Sequence, residues 1–410
     1  MEREAAETLS RDELRALQLE RLRALVGRLL GSPSPLGERL RDAGVDAPEA
    51  IGSLDDLPQL PFTEKADLRE HYPFGLLAVP RERLVRIHAS SGTGGKPTIV
   101  GYTAADLDLW ADVMARSMRI AGVRPGMLVH NANGYGLFTG GLGFHHGAER
   151  LGATIVPVST GQTKRQAMLL CDLQANALSC TPSYAVTIAE ALEQEGIGPE
   201  DLSLEVGLFG GEPWSESMRE QLECRLGLHA RNFYGLSEII GPGVAAECDE
   251  VNGAHLNEDH FLVEVVDGEL VITTLTKEAL PLIRYRTGDI ASVDGAPCAC
   301  GRTLARMGAV RGRRDDMLIL RGVNVYPSEI EHVLLGIEGV EPHYELTIQR
   351  PGASDEVRVR CEARAGGDEL ARRVHEALRE HTGIGIEVEL VETGALPRSQ
   401  GKAARVIDKR

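Results

Sequence analysis

Between His88 and Thr103 the chain reads HASSGTGGKPTIVGYT, which sets Ser90, Ser91, Gly92, Thr93, Gly94 and Gly95 ahead of Lys96. Glycines let successive backbone N–H groups turn toward one anion, hydroxyls add donors, and the lysine supplies a point charge. A phosphate-holding loop is the chemistry these residues suit, with a plain surface turn as the alternative. The stretch is not a Walker A motif, because Pro97 stands where a Ser or Thr would bind magnesium. TIVGYT also favours a strand over a helix, and the G-x-G-x-x-G dinucleotide spacing is absent.

Three later stretches add compatible groups. FYGLSE brings Tyr234, able to stack on a purine, next to Gly235 and four residues before Glu238, a carboxylate able to bind magnesium. YRTGDI offers Asp289 at a turn, where it could accept from ribose hydroxyls, and RSQGKAARV carries Lys402 on a glycine-flanked loop. A second chemistry lies in APCACGRT, which puts Cys298 and Cys300 on one tight turn, with Cys248, His255 and His260 upstream. In a reducing compartment thiolates on such a turn suit tetrahedral zinc. Cys248, His255, Cys298 and Cys300 would close the site, with His260 as the alternate fourth ligand.

These stretches need a frame. From Glu2 to about Leu30, leucines and alanines recur at helical spacing among Glu and Arg. The middle of the chain alternates β-branched runs (LVRIHAS, MLVHNAN, ATIVPVS, ALSCTP) with helical patterns such as ADLDLWADVMARSMRIAG and SYAVTIAEALEQEG. That rhythm predicts a largely parallel sheet covered by helices. FLVEVVDGELVITTL then predicts a hairpin turning at Asp267-Gly268. Beyond a boundary near Arg314–Met317 a smaller α+β alternation begins. The expected fold class is α/β: a large N-terminal domain over residues 1–314, with helix-covered mixed or parallel sheets and a β-rich subdomain, and a small α+β C-terminal domain over 315–410.

A net charge of -17 disfavours nucleic acid and anionic membrane partners, and no apolar run is long enough to span a bilayer. The charged N-terminus lacks a signal-peptide core, so a cytoplasmic location is expected. Seven cysteines, an odd number and mostly scattered, do not read as a disulfide set.

In order, SSGTGGKPT, FGGEP, FYGLSE, YRTGD, GRRDDMLILRG and the terminal GK resemble the adenylate-forming enzymes. More narrowly, NGYGLFTGGLGFHHGAERLGATIVPVSTGQTKRQ, LTKEALPLIRYRTGD and RGVNVYPSEIE resemble phenylacetate–CoA ligases, and the likeness runs from about Leu57 to Lys409. The resemblance implies ATP- and Mg2+-dependent adenylation of an aryl acid, then transfer to coenzyme A. It implies that Ser90 to Lys96 hold the leaving phosphates, while Gly211, Glu212 and Pro213 line the adenine pocket. Tyr234 would stack on the base, Asp289 would bind ribose, and Arg313 would lie near ribose or phosphate. Lys402 and a magnesium on Glu238 would neutralise charge during attack. Asp315 would be the hinge on which the small domain turns, and Gly322 would border the thiol's tunnel. Tyr135, Gly136, Phe138, Gly140, His145 and Ile239 would surround the acid's ring. Some such ligases carry a similar Cys-x-Cys-Gly-Arg turn with zinc, and a homodimer is expected by the same analogy.

Two departures matter. Gly94 replaces the threonine usual in this loop, which removes one hydroxyl donor. Phe144 and His145 in GFHHGAER suggest a ring bearing polar groups, unless His145 is simply packed and satisfied. The nearest rival activity delivers the acyl group to a carrier protein or an amine. A more distant one is a non-catalytic nucleotide-binding protein, whose signature would be the loss of Lys402 or Glu238; both are present.

Overall fold

The computed structural model describes residues 3–90, 97–314, 316–321, 323–351, 355–398 and 405–410. The chain forms two compact units: Met1–Ser159 with Ala177–Ser179 and Arg231–Ala309, and Thr160–Asn176 with Cys180–Ala230 and Val310–Arg410.

The first unit opens on the helix Arg11–Leu30, capped by Ser10, whose side chain accepts from the Glu13 N–H while Glu13 reaches back. Its buried face, Leu14, Leu22, Leu25, Val26 and Leu29, matches the periodicity read from the sequence. The strands Arg86–Ala89 and Ile99–Tyr102 pair antiparallel on either side of the glycine-rich loop, so a strand does follow it. Leu128–Asn131 pairs parallel with both Thr154–Val156 and Ala177–Cys180. His229–Leu236, Gly241–Glu247 and Ala254–Leu256 run antiparallel, because short turns rather than crossover helices join them. Phe261–Val266 and Glu269–Thr274 form the expected hairpin, with positive φ at both Asp267 and Gly268, and Tyr285–Ile290 joins them.

In the second unit Thr163–Leu173 packs on Pro182–Gln194, which packs in turn on Glu216–Leu226. Toward the C-terminus Val340–Gln349 and Glu356–Ala363 are antiparallel, flanked by Glu387–Glu392 and Val406–Asp408. Pro327–Leu335 and Asp368–Thr382 supply Ile330, Leu334, Val374 and Leu378 to a core shared with Leu346, Ile348, Val359 and Cys361. This module therefore has its own hydrophobic centre. Val406–Asp408 is a strand that the sequence reading did not anticipate. Among the described residues no helix is long and apolar enough to cross a membrane.

Candidate active site

Two of the four stretches meet directly in the first unit. The Tyr234 hydroxyl donates to Asp289 Oδ2 at 2.7 Å, and both side chains are buried. The pairing of this strand with Gly241–Glu247 shifts register between Tyr234 and Gly235. A Cβ on Gly235 would lie 2.1 Å from the Gly241 carbonyl oxygen, so only glycine permits that approach. Past the strand, the Ile239 and Ile240 N–H groups both donate to the Leu236 carbonyl, closing the turn that carries Glu238. Glu238 is 6% exposed, and no described residue hydrogen-bonds its carboxylate. Ile239 is fully buried.

Beneath that turn lies a residue the sequence reading passed over. Lys277 is completely buried, donates from Nζ to the Glu238 carbonyl at 3.1 Å, and lies 5.0 Å over the Tyr102 ring. Burial lowers its pKa to about 8, with Asp106 and Glu238 opposing. Tyr102 stacks on Trp110 at 5.3 Å and donates to the Ile240 carbonyl, while buried His88 meets both rings edge-on. Nothing local in LTKEALPLI marks this lysine as buried, since Thr276 and Glu278 flank it.

The Ser90 N–H donates to Thr98 at the base of the glycine-rich loop, and its buried hydroxyl oxygen has no partner among the described residues. A buried hydroxyl in that condition fits a site completed by a polar ligand. Ser91, Gly92, Thr93, Gly94, Gly95 and Lys96 lie outside the described residues, as do Asp315, Gly322 and Lys402.

Of the six residues expected around the acid, Tyr135 and His145 touch. Asn131 Nδ2 donates to the Tyr135 hydroxyl at 2.7 Å, which leaves the phenol proton to donate to His145 Nδ1 at 3.1 Å. His145 Nε2 in turn faces Glu149 at 3.2 Å. Burial, with the Glu149 charge adding and the Asn131 bond opposing, raises the Tyr135 pKa to about 12, so the phenol keeps its proton. His145 is thus a satisfied histidine that orients a tyrosine. Gly136 has φ +132°, Gly140 begins the helix Gly140–Leu151, and Phe138 is 54% exposed. Phe144 is buried against Phe233.

In the second unit Gly211, with φ +86°, follows the strand Val206–Gly210 and precedes Glu212 and Pro213. Glu212 Oε1 accepts from the Ser183 N–H at 2.8 Å, at the start of the helix Pro182–Gln194. Arg313 Nε lies 3.7 Å from Asp316 Oδ2.

The cysteine group assembles in the first unit. The donor atoms of Cys248, His255, Cys298 and Cys300 all lie within 4.8 Å of one another. Cys248 and Cys298 Sγ are 3.9 Å apart, and Cys300 Sγ is 3.4 Å from His255 Nε2. Tetrahedral zinc with ordinary bond lengths needs about 3.8 Å between sulfurs and about 3.6 Å between sulfur and nitrogen, so the set fits that ion. His255 Nδ1 faces the Leu304 carbonyl, which leaves Nε2 as the lone-pair nitrogen toward the sulfurs. Burial lowers the His255 pKa to about 4, so the ring is neutral at pH 7. Burial raises Cys248 to about 12, while against burial the hydrogen bonds from Arg302 hold Cys300 below the usual thiol range. His260, the alternate ligand, is committed elsewhere: it meets Thr276 at 2.9 Å and Asp259 at 3.1 Å. Arg302 donates to Cys300 Sγ and to fully buried Glu7, and Arg3 donates to the Cys300 carbonyl.

The fold and these motifs define an adenylate-forming enzyme. 2-Hydroxyisobutyryl-CoA ligase in the postadenylation state with 2-HIB-AMP overlays at a TM-score of 0.92 and 30% identity, covering 99% of this chain and 91% of that one. The same ligase with 2-HIB-AMP and CoA in the thioesterification state gives 0.73, covering 98% and 91%. Residues 322–410 match the AMP-binding enzyme C-terminal domain. Phenylacetate-coenzyme A ligase of Thermus thermophilus is 52% identical over 98% of each chain, and that of Escherichia coli 46% identical over 98% of this chain and 97% of its own. The chain belongs to the phenylacetate-coenzyme A ligase family, and it is an AMP-forming acid–thiol ligase using ATP and coenzyme A.

Proposed function

We propose that the acid is phenylacetate or a close ring-substituted relative, joined to coenzyme A in two steps. In the first, a carboxylate oxygen attacks the α-phosphorus of ATP, the bond to pyrophosphate breaks, and acyl-AMP remains. In the second, the thiol sulfur attacks the acyl carbon, loses its proton, and AMP leaves. The observation that carries the nucleotide half is the 2.7 Å bond between Tyr234 and Asp289, which fixes a base-stacking ring and a ribose-binding carboxylate as one unit. Gly211, Glu212 and Pro213 line the adenine, Gly235 lets the Tyr234 strand close up, and Arg313 serves ribose or phosphate. Ser90 to Lys96 take the departing phosphates, a role to which the Ser90 hydroxyl, without a partner among the described residues, lends support.

Glu238 would hold magnesium, which when bound neutralises phosphate charge. Lys402 brings the matching ammonium to the reacting oxygens. The ring of the acid rests among Tyr135, Gly136, Phe138, Gly140, His145 and Ile239, with the Tyr135 phenol fixed by Asn131 and His145. Residues 315–410 turn about Asp315 between the two steps, and Gly322 then borders the incoming thiol. The separate hydrophobic centre of that module supports its moving as a body. Cys248, His255, Cys298 and Cys300 hold a structural zinc. Seven cysteines with no disulfide between them support a reducing cytoplasm, and a homodimer is the assembly we assign by analogy.

A panel of phenylacetate, benzoate, anthranilate and hydroxylated analogues in a pyrophosphate-release assay, followed by addition of coenzyme A or a phosphopantetheinyl carrier, tests both acid and acceptor. Phenylacetate with coenzyme A should turn over fastest. Turnover with the carrier alone removes the coenzyme A assignment, and failure of every aryl acid to exchange labelled pyrophosphate into ATP removes the whole reading.

A further inference from the structure

Helix Pro182–Gln194 presents Ser183, Thr187 and Glu190 at spacings of four and three, one face of an α-helix. The C-terminal module meets that face with charge. Glu190 Oε1 is 2.8 Å from His343 Nε2, on the strand Val340–Gln349, and Glu190 Oε2 accepts from Arg398 Nε at 2.8 Å. Both oxygens of one carboxylate are therefore taken by residues of the 322–410 module. Neighbouring Glu193 pairs instead with Arg225, inside its own segment. Arg398 is held from behind: its two Nη groups grip fully buried Glu362 at 2.7 and 2.9 Å, leaving the Nε edge for Glu190. Seven residues further on, Arg405 donates to Ser183 Oγ at 2.9 Å and lies over the Tyr344 ring. In sequence, Arg398 and Arg405 bracket Lys402.

We infer that Glu190 is a positioning residue that favours adenylation over thioester formation, by stabilising the module only where His343 and Arg398 can reach it. The inference rests on the two-arrangement reading of residues 315–410. Among the described residues the Glu190 carboxylate draws both its hydrogen-bonding partners from the module. A partly buried carboxylate of that kind contributes free energy in one arrangement and loses it in the other, and only such a difference shifts an equilibrium between them. The same ligase whose postadenylation state overlays this chain at 0.92 overlays at 0.73 in its thioesterification state, so the Glu190 contact accompanies the better match to the postadenylation state.

The test separates the half-reactions. Pyrophosphate exchange reports adenylation, and phenylacetyl-AMP supplied with coenzyme A reports thioester formation. Glu190→Gln keeps the shape and removes the charge. It should slow exchange on the order of fivefold while thioester formation from phenylacetyl-AMP stays level or rises. His343→Gln, from the other side of the contact, should act in the same direction, and the double variant should fall short of the product of the two single effects. Equal losses in both half-reactions, or undiminished exchange in Glu190→Gln, overturns the assignment. Lys402→Ala distinguishes the two ways of failing. If it separates the half-reactions and Glu190→Gln does not, the Glu190 role alone is wrong; if Lys402→Ala depresses both equally, the two-arrangement reading itself fails.

Discussion

Cys300→Ser is the sharpest probe of the cysteine cluster. Cys300 is the partly exposed member, its sulfur 3.4 Å from His255 Nε2, and its thiol is acidified by the Arg302 hydrogen bonds. The serine keeps the size and removes a thiolate, so packing changes little while a four-ligand shell drops to three. Metal that binds only the folded chain stabilises it by linkage, about 4 kcal/mol when the free ion stands at a thousand times its Kd. At about 2–4 °C per kcal/mol for a unit of this size, that corresponds to a melting transition about 8–16 °C lower for the metal-free protein. Protein purified without added zinc should carry about one zinc per chain by elemental analysis. Cys300→Ser should carry little and melt low, and chelated wild type should melt alongside it. A wild-type preparation that holds no metal yet melts at the same temperature with or without added zinc refutes the site. So does a Cys300→Ser protein that keeps its full complement.

Tyr234→Phe retains the stacking ring and deletes only the donor to Asp289; a hydrogen bond to a charged group contributes about 1.5–3 kcal/mol. With the carboxylate less well oriented, KM for ATP should rise about five- to tenfold and kcat should change less than about twofold; an unchanged KM in initial-rate measurements would count against the ribose role of Asp289. Lys277→Met removes a buried ammonium whose pKa falls to about 8 in the folded chain, against about 10.4 when unfolded. Between those values the unfolded lysine keeps its proton and the folded one releases it, so wild-type stability should gain on that of Lys277→Met as pH rises through the window, by about 3 kcal/mol in total. Denaturant melts at pH 7.5 and 10 read that difference, and a pH-independent difference contradicts the burial.

The candidate residues can be picked out of the sequence because they carry chemistry in their local order. Glycines next to hydroxyls and one lysine, a tyrosine four residues before a glutamate, and two cysteines on a Gly/Pro turn each suggest a role within a few positions. The hairpin at Asp267-Gly268 was equally local. What escaped needed distance. Asn131, Tyr135 and His145 form one network only because the strand Leu128–Asn131 and the helix Gly140–Leu151 are brought together by folding. Which strands of the mixed sheet run antiparallel is harder to read for a related reason: Val-rich runs look alike in either direction, and direction is set by the length of the connection. Lys277 was invisible because a lysine is ordinarily a surface residue, and nothing nearby in sequence reveals that Tyr102 and the Glu238 carbonyl enclose it. Between His255 and His260, spacing could not choose. The backbone did, by pairing His255 with Arg306 and placing its ring near the cysteine turn.

The attachment of Glu7 and Arg3 to the Arg302–Cys300 turn has a practical corollary. Because Arg3 donates to the Cys300 carbonyl, an affinity tag fused at the amino end would load a segment tied to the cysteine turn, and if the cluster holds zinc as proposed, a handle chosen for convenience would disturb the metal content it is used to recover. Preparations meant for metal analysis are better made untagged at that end, and a mismatch between differently tagged batches would be a symptom of this linkage rather than of the growth medium.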